Sequence, residues 1–516
     1  MRNNVRAFAA IFVLLLITLR SRAIGVEQVE CDDQTMTLSG RVDGPAAILQ
    51  REPWETIGGG EIIQIKAGPF HVVVPRLFHE KDRAYCSFVT VDANSKPIGV
   101  GRYVQNVGGS IPSQEPYPQA ASKKGLQVAD VKDALALGIK HAALNVQLNA
   151  YIDLEGAADA IAFKTQGRTF YFHRGAVADL DKGIKELSDH GVIVTLIIYY
   201  PDSGNPKLDA MMLHPNYSPD APNHISAFNV TNEKSTEELE ACFEFLASRY
   251  SMTDHRYGRA VNFIVGNEVD SQWYWYNMGK TDLPTFIDQY SRAVRLCHTA
   301  VRKFNANSRV FISLDHFWNM HFADPAPGHV FQGRQIVEGL QKFIAAQGDI
   351  DWNIAYHPYP EDLFNPRFWL DKTATHDPNT PRITFKNIEM LTKFLRSPQM
   401  LYDGKPRHVI LSEQGFHTPN TPDGEAIQAA AYAYAWVRVN RDPGIDAFIL
   451  HRQIDNPNEG GLNLGLWWSP QTNPHGHEQQ KKKIYDVFKA ADTDHWQQAF
   501  QFALPIIGQT SWDTAP

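Results

Sequence analysis

From residue 124 onward the chain repeats one alternation: a short run apolar on both faces, then a segment with apolar residues at helical spacing. This pattern constrains the fold more than any other feature. Strands apolar on both faces need cover on both sides, and intervening amphipathic helices supply it while returning the chain for the next parallel strand. Eight such runs can be read: KGLQV (124–128), KHAALNV (140–146), VIVTLIIYY (192–200), VNFIVGN (261–267), RVFISLD (309–315), WNIAYHP (352–358), HVILSEQ (408–414) and DAFILHR (446–452). Between and after them lie eight helical patterns. Val131, Ala134 and Leu135 form a short apolar face, and Leu180, Ile184 and Leu187 form another, stopped by Gly191. Ser235 with Glu238 has capping-box spacing ahead of Leu239, Phe243 and Leu246. Pro284 opens a long helix carrying Phe286, Tyr290, Cys297, Val301 and Phe304. Similar patterns cover 334–346, 384–396, 424–440 and 481–490. Eight strands and eight helices predict an α/β fold, a (β/α)8 TIM barrel, with a doubly wound open sheet as the alternative.

The remainder of the chain is different. Residues 24–115 carry short β-branched and aromatic runs such as TMTLSGRVDG and FHVVVPRL, punctuated by Gly, Pro and Asp. They predict a small N-terminal all-β domain, joined to the barrel (116–516) through the linker-like GGSIPSQEPYP. This domain lacks a decisive aromatic stripe, which favours a packing partner over a carbohydrate-binding module. Residues 1–23 read as a signal peptide: Arg2 and Arg6 precede an apolar run, and Ser21-Arg22-Ala23 offers a small-x-small cleavage site. A secreted or periplasmic protein is expected, with no membrane span. Export permits disulfides, and Cys31 with Cys86 is the pair expected to staple the β domain; Cys242 and Cys297 fall on apolar helix faces as buried thiols. The sequons at Asn216 and Asn229 have meaning only in a eukaryotic secretory host. The net charge of −8 is spread along the chain with no basic block beyond Lys481–Lys483, which argues against nucleic acid as a partner. A monomer or weak oligomer is expected.

The stretch FIVGNEVDSQWYWYNMG (263–279) raises the functional question. The fourth strand runs into Asn267 and Glu268, and Trp273, Tyr274, Trp275 and Tyr276 follow almost at once. In a barrel, reactive groups stand at the C-terminal ends of strands. Glu413, in ILSEQGF, stands near the end of strand seven. Two carboxyl groups facing each other across a barrel mouth are what glycosidic cleavage needs, one to protonate the leaving oxygen and one to face the anomeric carbon. A glutamate closing a strand is more commonly a cap or an ion-pair residue. The chemical reading rests on two of them at these strand ordinals, with His-Pro-Tyr between. Consecutive aromatics cannot all face one core, so Trp275 and, in the later loops, Trp318, Trp369, Trp467 and Trp468 are candidates to stack on sugar rings. Asp315 with His316, at the end of strand five, and His451 with Arg452, at strand eight, are candidate polar contacts.

These residues resemble the clan A glycoside hydrolases over about residues 124–490. The resemblance implies that Glu268 is the general acid/base and Glu413 the nucleophile. It also implies that Asn267 donates to the sugar 2-hydroxyl, and that His357 or Tyr359, in AYHPYP, orients the nucleophile or contacts the ring. The chain departs from that pattern in having no Pro after Asn-Glu and in carrying LHRQID on strand eight where the clan usually has Trp. A likeness to exported bacterial proteins of unassigned function is also evident. The implied function is retaining hydrolysis of a poly- or oligosaccharide, with neither metal nor cofactor. The alternative is a carbohydrate-binding barrel without turnover. No GxSxG, HExxH, GxxxxGK[ST] or GxGxxG motif points elsewhere.

Overall fold

The computed structural model describes residues 25–55, 60–323 and 326–513. The expected leader, residues 1–23, lies outside them. Eight parallel strands close into a barrel: β1 (Lys124–Gln127), β2 (His141–Gln147), β3 (Ile193–Pro201), β4 (Ala260–Val265), β5 (Arg309–Leu314), β6 (Trp352–Tyr356), β7 (Val409–Leu411) and β8 (Ala447–Leu450). Closure is complete because β8 pairs with β1 and β2 pairs with β3. The alternative of an open sheet is thereby excluded. Inward-facing residues fill the interior in a packed layer of Ala143, Ile197, Ile264, Phe311, Ala355, Ile410, Ala447 and Ile449.

The helices follow in order: α1 (Val131–Ala136), α2 (Arg174–Asp189), α3 (Glu233–Arg249), α4 (Leu283–Phe304), α5 (Gly333–Ala346), α6 (Glu389–Leu395), α7 (Gly424–Arg441) and α8 (Lys483–Ala490). Gly191 follows α2 with a φ of 73°, as its role as a stop requires. The start of α3 differs from the sequence reading. Asn232, not Ser235, is the cap, because its side chain accepts the Ser235 N–H at 3.2 Å and so begins the helix earlier.

Ahead of the barrel, two antiparallel sheets of three and four strands enclose Val29, Met36, Leu38, Ile48 and Phe88. Cys31 and Cys86 are both free thiols, so the expected staple is absent. The Cys86 thiol instead donates to Glu52 at 3.3 Å and accepts from Gln50 at 3.5 Å, and the sheet core holds without a crosslink. Cys242 and Cys297 are fully buried. The β domain packs on α3 through charge. Glu237, Glu238, Glu240 and Glu244 are all buried on that helix. Tyr85 donates to Glu244 at 2.6 Å, Lys81 pairs with Glu237 at 2.8 Å, and Lys303 of α4 bridges Asp82 and Glu244. Among the described residues no helix is long and apolar enough to cross a membrane.

Candidate active site

The C-terminal ends of the strands open into a cleft of about 810 Å³ lined by loops from around the barrel. Its chemistry starts where β4 stops. Gly266 takes a φ of 79°, and a Cβ there would sit 2.7 Å from the Tyr276 ring. Only glycine lets the chain turn against that ring. Glu268 then occupies the left-handed region at φ 38°, unusual for a side chain of its size. Its N–H donates to Ser313 Oγ at 3.0 Å, and its carbonyl accepts the Ser271 N–H at 3.0 Å. The backbone is thus held in a sparsely populated conformation that aims one carboxyl group into the cleft.

Glu413 stands two residues past β7 and faces Glu268. One carboxylate oxygen of each, together with a ring nitrogen of His357, lies within 4.8 Å of the others. Glu413 accepts from Gln127 Nε2 at 2.9 Å and from the Tyr359 hydroxyl at 3.3 Å. His357, 1% exposed, has Nδ1 at 2.8 Å from Glu268 Oε1 and Nε2 at 2.9 Å from Ser412 Oγ. These three side chains have the donor spacing of a cation site. The His357 Nδ1 that a cation would need is engaged with Glu268.

The two carboxyl groups are driven apart electrostatically. Burial raises Glu268, and the charges of Asp315 and Glu413 add to it, against the His357 hydrogen bond. Glu413 is buried as well, but the positive charge of His451 and His357 and the bonds from Gln127 and Tyr359 outweigh burial and lower it. His357 is raised too, because the Glu268 hydrogen bond and the surrounding carboxylates overcome its burial. Glu268 and His357 are therefore both shifted upward and are tied to each other by one hydrogen bond, so they titrate as a pair. Beneath them, Asp270 is pushed well above the usual carboxylate range by burial and by Asp315. Asp315 is bound by Ser271 Oγ and by the Phe317 N–H at 2.8 Å.

The remaining candidates divide. Asn267 lines the cleft, and its buried Oδ1 has no partner, which leaves it available to a ligand. His316 also lines it; its Nδ1–H donates to the Tyr359 carbonyl at 3.0 Å, and burial with the nearby Arg382 pushes it down to about 4, so the ring is neutral. Trp275 and Arg452 reach the cleft. Trp318 does not: it is 2% exposed and packs edge-on against Phe394, so no sugar can stack on it. The aromatic run after Glu268 is shared out. Tyr274 and Trp275 line the cleft, Trp273 stacks on His329 at 3.8 Å, and Tyr276 is buried against Phe228, Phe286 and Tyr290. Trp467 and Trp468 tie down loops through Asp133 and Glu425.

Sequence reasoning missed Gln127, Tyr199, Glu361 and Glu459, all of which line the cleft. Gln127 and Tyr199 sit near the ends of strands already recognised, and strand ordinal was the available signal. Glu361 and Glu459 are loop residues with none.

Among solved structures, the chain is similar to a family 39 glycoside hydrolase from the gut symbiont Bacteroides cellulosilyticus (14% identity, 90% of this chain and 83% of that one, TM-score 0.47). It is also similar to a family 1 β-glucosidase from Thermotoga maritima (13%, 70% and 84%, TM-score 0.42) and to a Bacteroidetes-affiliated GH5 cellulase (14%, 78% and 96%, TM-score 0.43). The chemistry is carried by side-chain geometry and not by these likenesses. No curated protein sequence matches the chain. A family model described as DUF5722, a family of unknown function, matches residues 116–515, and the chain belongs to that family.

Proposed function

We propose that the protein is an exported retaining glycoside hydrolase acting on a poly- or oligosaccharide through Glu268 and Glu413. One observation carries the reading: two carboxyl groups with oxygens within 4.8 Å, one raised and one lowered. Retaining enzymes need roughly 5–5.5 Å between the two groups, whereas inverting enzymes need roughly 6.5–9.5 Å to admit a water. A binding barrel would have no use for a protonated and an ionised carboxyl group in contact range.

In the first step, Glu413 attacks the anomeric carbon while Glu268 gives its proton to the departing oxygen, so the glycosidic C–O bond breaks as the ester forms. Glycosylation discharges Glu413, which removes one of the charges that raised Glu268. Glu268, now a carboxylate, takes a proton from water, and the water oxygen displaces Glu413 from the anomeric carbon. Two inversions leave the configuration retained. His357 supports both states of Glu268 through the 2.8 Å contact, and Tyr359 and Gln127 each hold one oxygen of Glu413 in place. Asn267 supplies a polar group toward the sugar. Tyr274 and Trp275 shape the cleft and limit water.

The test is a screen of the purified protein against a polysaccharide and aryl-glycoside panel, with the first-formed anomer read by NMR. Products of retained configuration are expected. Inverted products would end the retaining assignment, and binding without any hydrolysis would favour the non-catalytic barrel.

A further inference from the structure

His451, just past β8, places its ring between two polar side chains. Nδ1 lies 2.5 Å from Gln127 Oε1, and Nε2 lies 2.5 Å from Glu459 Oε1. Gln127 in turn donates from Nε2 to Glu413 Oε2 at 2.9 Å. The direction of each bond follows from the last. The Glu413 carboxylate only accepts, so the amide nitrogen of Gln127 faces it and the amide oxygen faces His451. That oxygen also only accepts, so Nδ1 of His451 carries a hydrogen. On the far side Nε2 meets a second carboxylate, and a bare ring nitrogen at that distance would oppose two lone pairs. Nε2 carries a hydrogen as well. Arg452 Nη1 donates to the other oxygen of Glu459 at 3.3 Å, so both oxygens of that carboxylate are engaged.

We propose that Glu459 fixes His451 as an imidazolium counter-ion that, through Gln127, holds the Glu413 carboxylate oriented and ionised for attack. This rests on Glu413 being the nucleophile. His451 and Glu459 are positioning residues here. Around His451 stand Glu459 and Arg452 from its own loop and, through Gln127, Glu413 from the β7 end. His451 meets the Glu459 carboxylate directly and the Glu413 carboxylate through the Gln127 amide. Burial of Glu413 acts to raise it, and His451 is the largest influence in the opposite direction.

The test uses the full chain with Glu459→Gln and Glu459→Asp. With an activated aryl glycoside, the acid limb of kcat/KM should move to higher pH by roughly 1 unit in Glu459→Gln and return in Glu459→Asp. A merely structural residue would lower the rate without moving that limb. Independently of turnover, ¹⁵N NMR of the imidazole rings should show both nitrogens of His451 protonated at neutral pH, assigned by difference against His451→Asn. Glu459→Gln should leave one of them bare. A bare nitrogen in the unsubstituted protein, or an acid limb unmoved by Glu459→Gln, would overturn the proposal. Because the NMR arm needs no substrate, it decides the counter-ion question even if the protein hydrolyses nothing.

Discussion

Nδ1 of His357 lies 2.8 Å from Oε1 of Glu268, a buried pair at the end of β4. Under the proposed mechanism the contact would let one carboxyl group serve twice. It tempers the rise that burial imposes on Glu268, so the proton is held firmly enough to be present when substrate arrives and loosely enough to be given up.

Removal of either glutamate should leave a distinct signature. Glu268→Ala should lose roughly 10²–10⁴-fold on substrates with poor leaving groups and much less on activated aryl glycosides. Azide should restore turnover with retention. Glu413→Ala should abolish turnover, and azide should return a glycosyl azide of inverted configuration. Identical azide products from the two variants would refute the division of roles.

The pH profile follows from the directions of the two shifts. Glu413 is lowered, so activity should persist to a pH below the ordinary carboxylate range before the nucleophile is protonated. Glu268 is raised, so the acid should stay protonated above that range, and activity should fall as pH rises through its value. The His357 hydrogen bond lowers Glu268, so His357→Asn should move the basic limb upward. A downward move measured in kcat/KM would contradict this account.

Gly266→Ala should damage activity far more than stability. A methyl group would meet the Tyr276 ring at 2.7 Å in a conformation with φ 79°, and the displaced turn carries Glu268. A shift of about 1 Å at the carboxyl group is enough to cost on the order of 10²-fold. Kinetics alongside circular dichroism would separate the two effects.

Lys482 and Asp455 form an ion pair at 2.7 Å with both side chains fully buried, and it anchors the loop after β8 to the start of α8. Asp455→Ala leaves a buried cation without its partner and should cost about 3–5 kcal/mol in urea unfolding. Replacing both residues with apolar side chains should cost much less.

The barrel was legible because its signal is repeated eight times and each strand must be apolar on both faces. The placing of Glu268 and Glu413 together at the barrel mouth was legible because strand ordinal gives their position. Trp318 misled because a loop tryptophan reads the same whether it packs inward on Phe394 or outward on a ligand. His451 was legible only as a candidate sugar contact, and its link to Gln127 was invisible because it joins β8 to β1 across 324 residues. Asn232 displaced Ser235 as the cap because either residue type can accept an amide hydrogen, and only the path of the backbone selects between them. The free Cys31 and Cys86 show that two cysteines within one small domain do not imply a bond.

The glutamate face of α3 has a consequence for how this chain can be recombined. Beside Glu52, Trp54 and Tyr85 of the β domain, burial carries Glu240 well above its ordinary range, while Lys81, Tyr85 and Lys303 serve Glu237 and Glu244. A gene encoding the barrel alone would return these acids to water, ionised and crowded on one helix face, without the cation and hydroxyl that Lys81 and Tyr85 provide. Shuffling the β module onto another barrel would need a matching set of acids waiting there. The two parts are thus heritable as a pair, and a lineage that lost the N-terminal module would have to rewrite α3 to keep the rest.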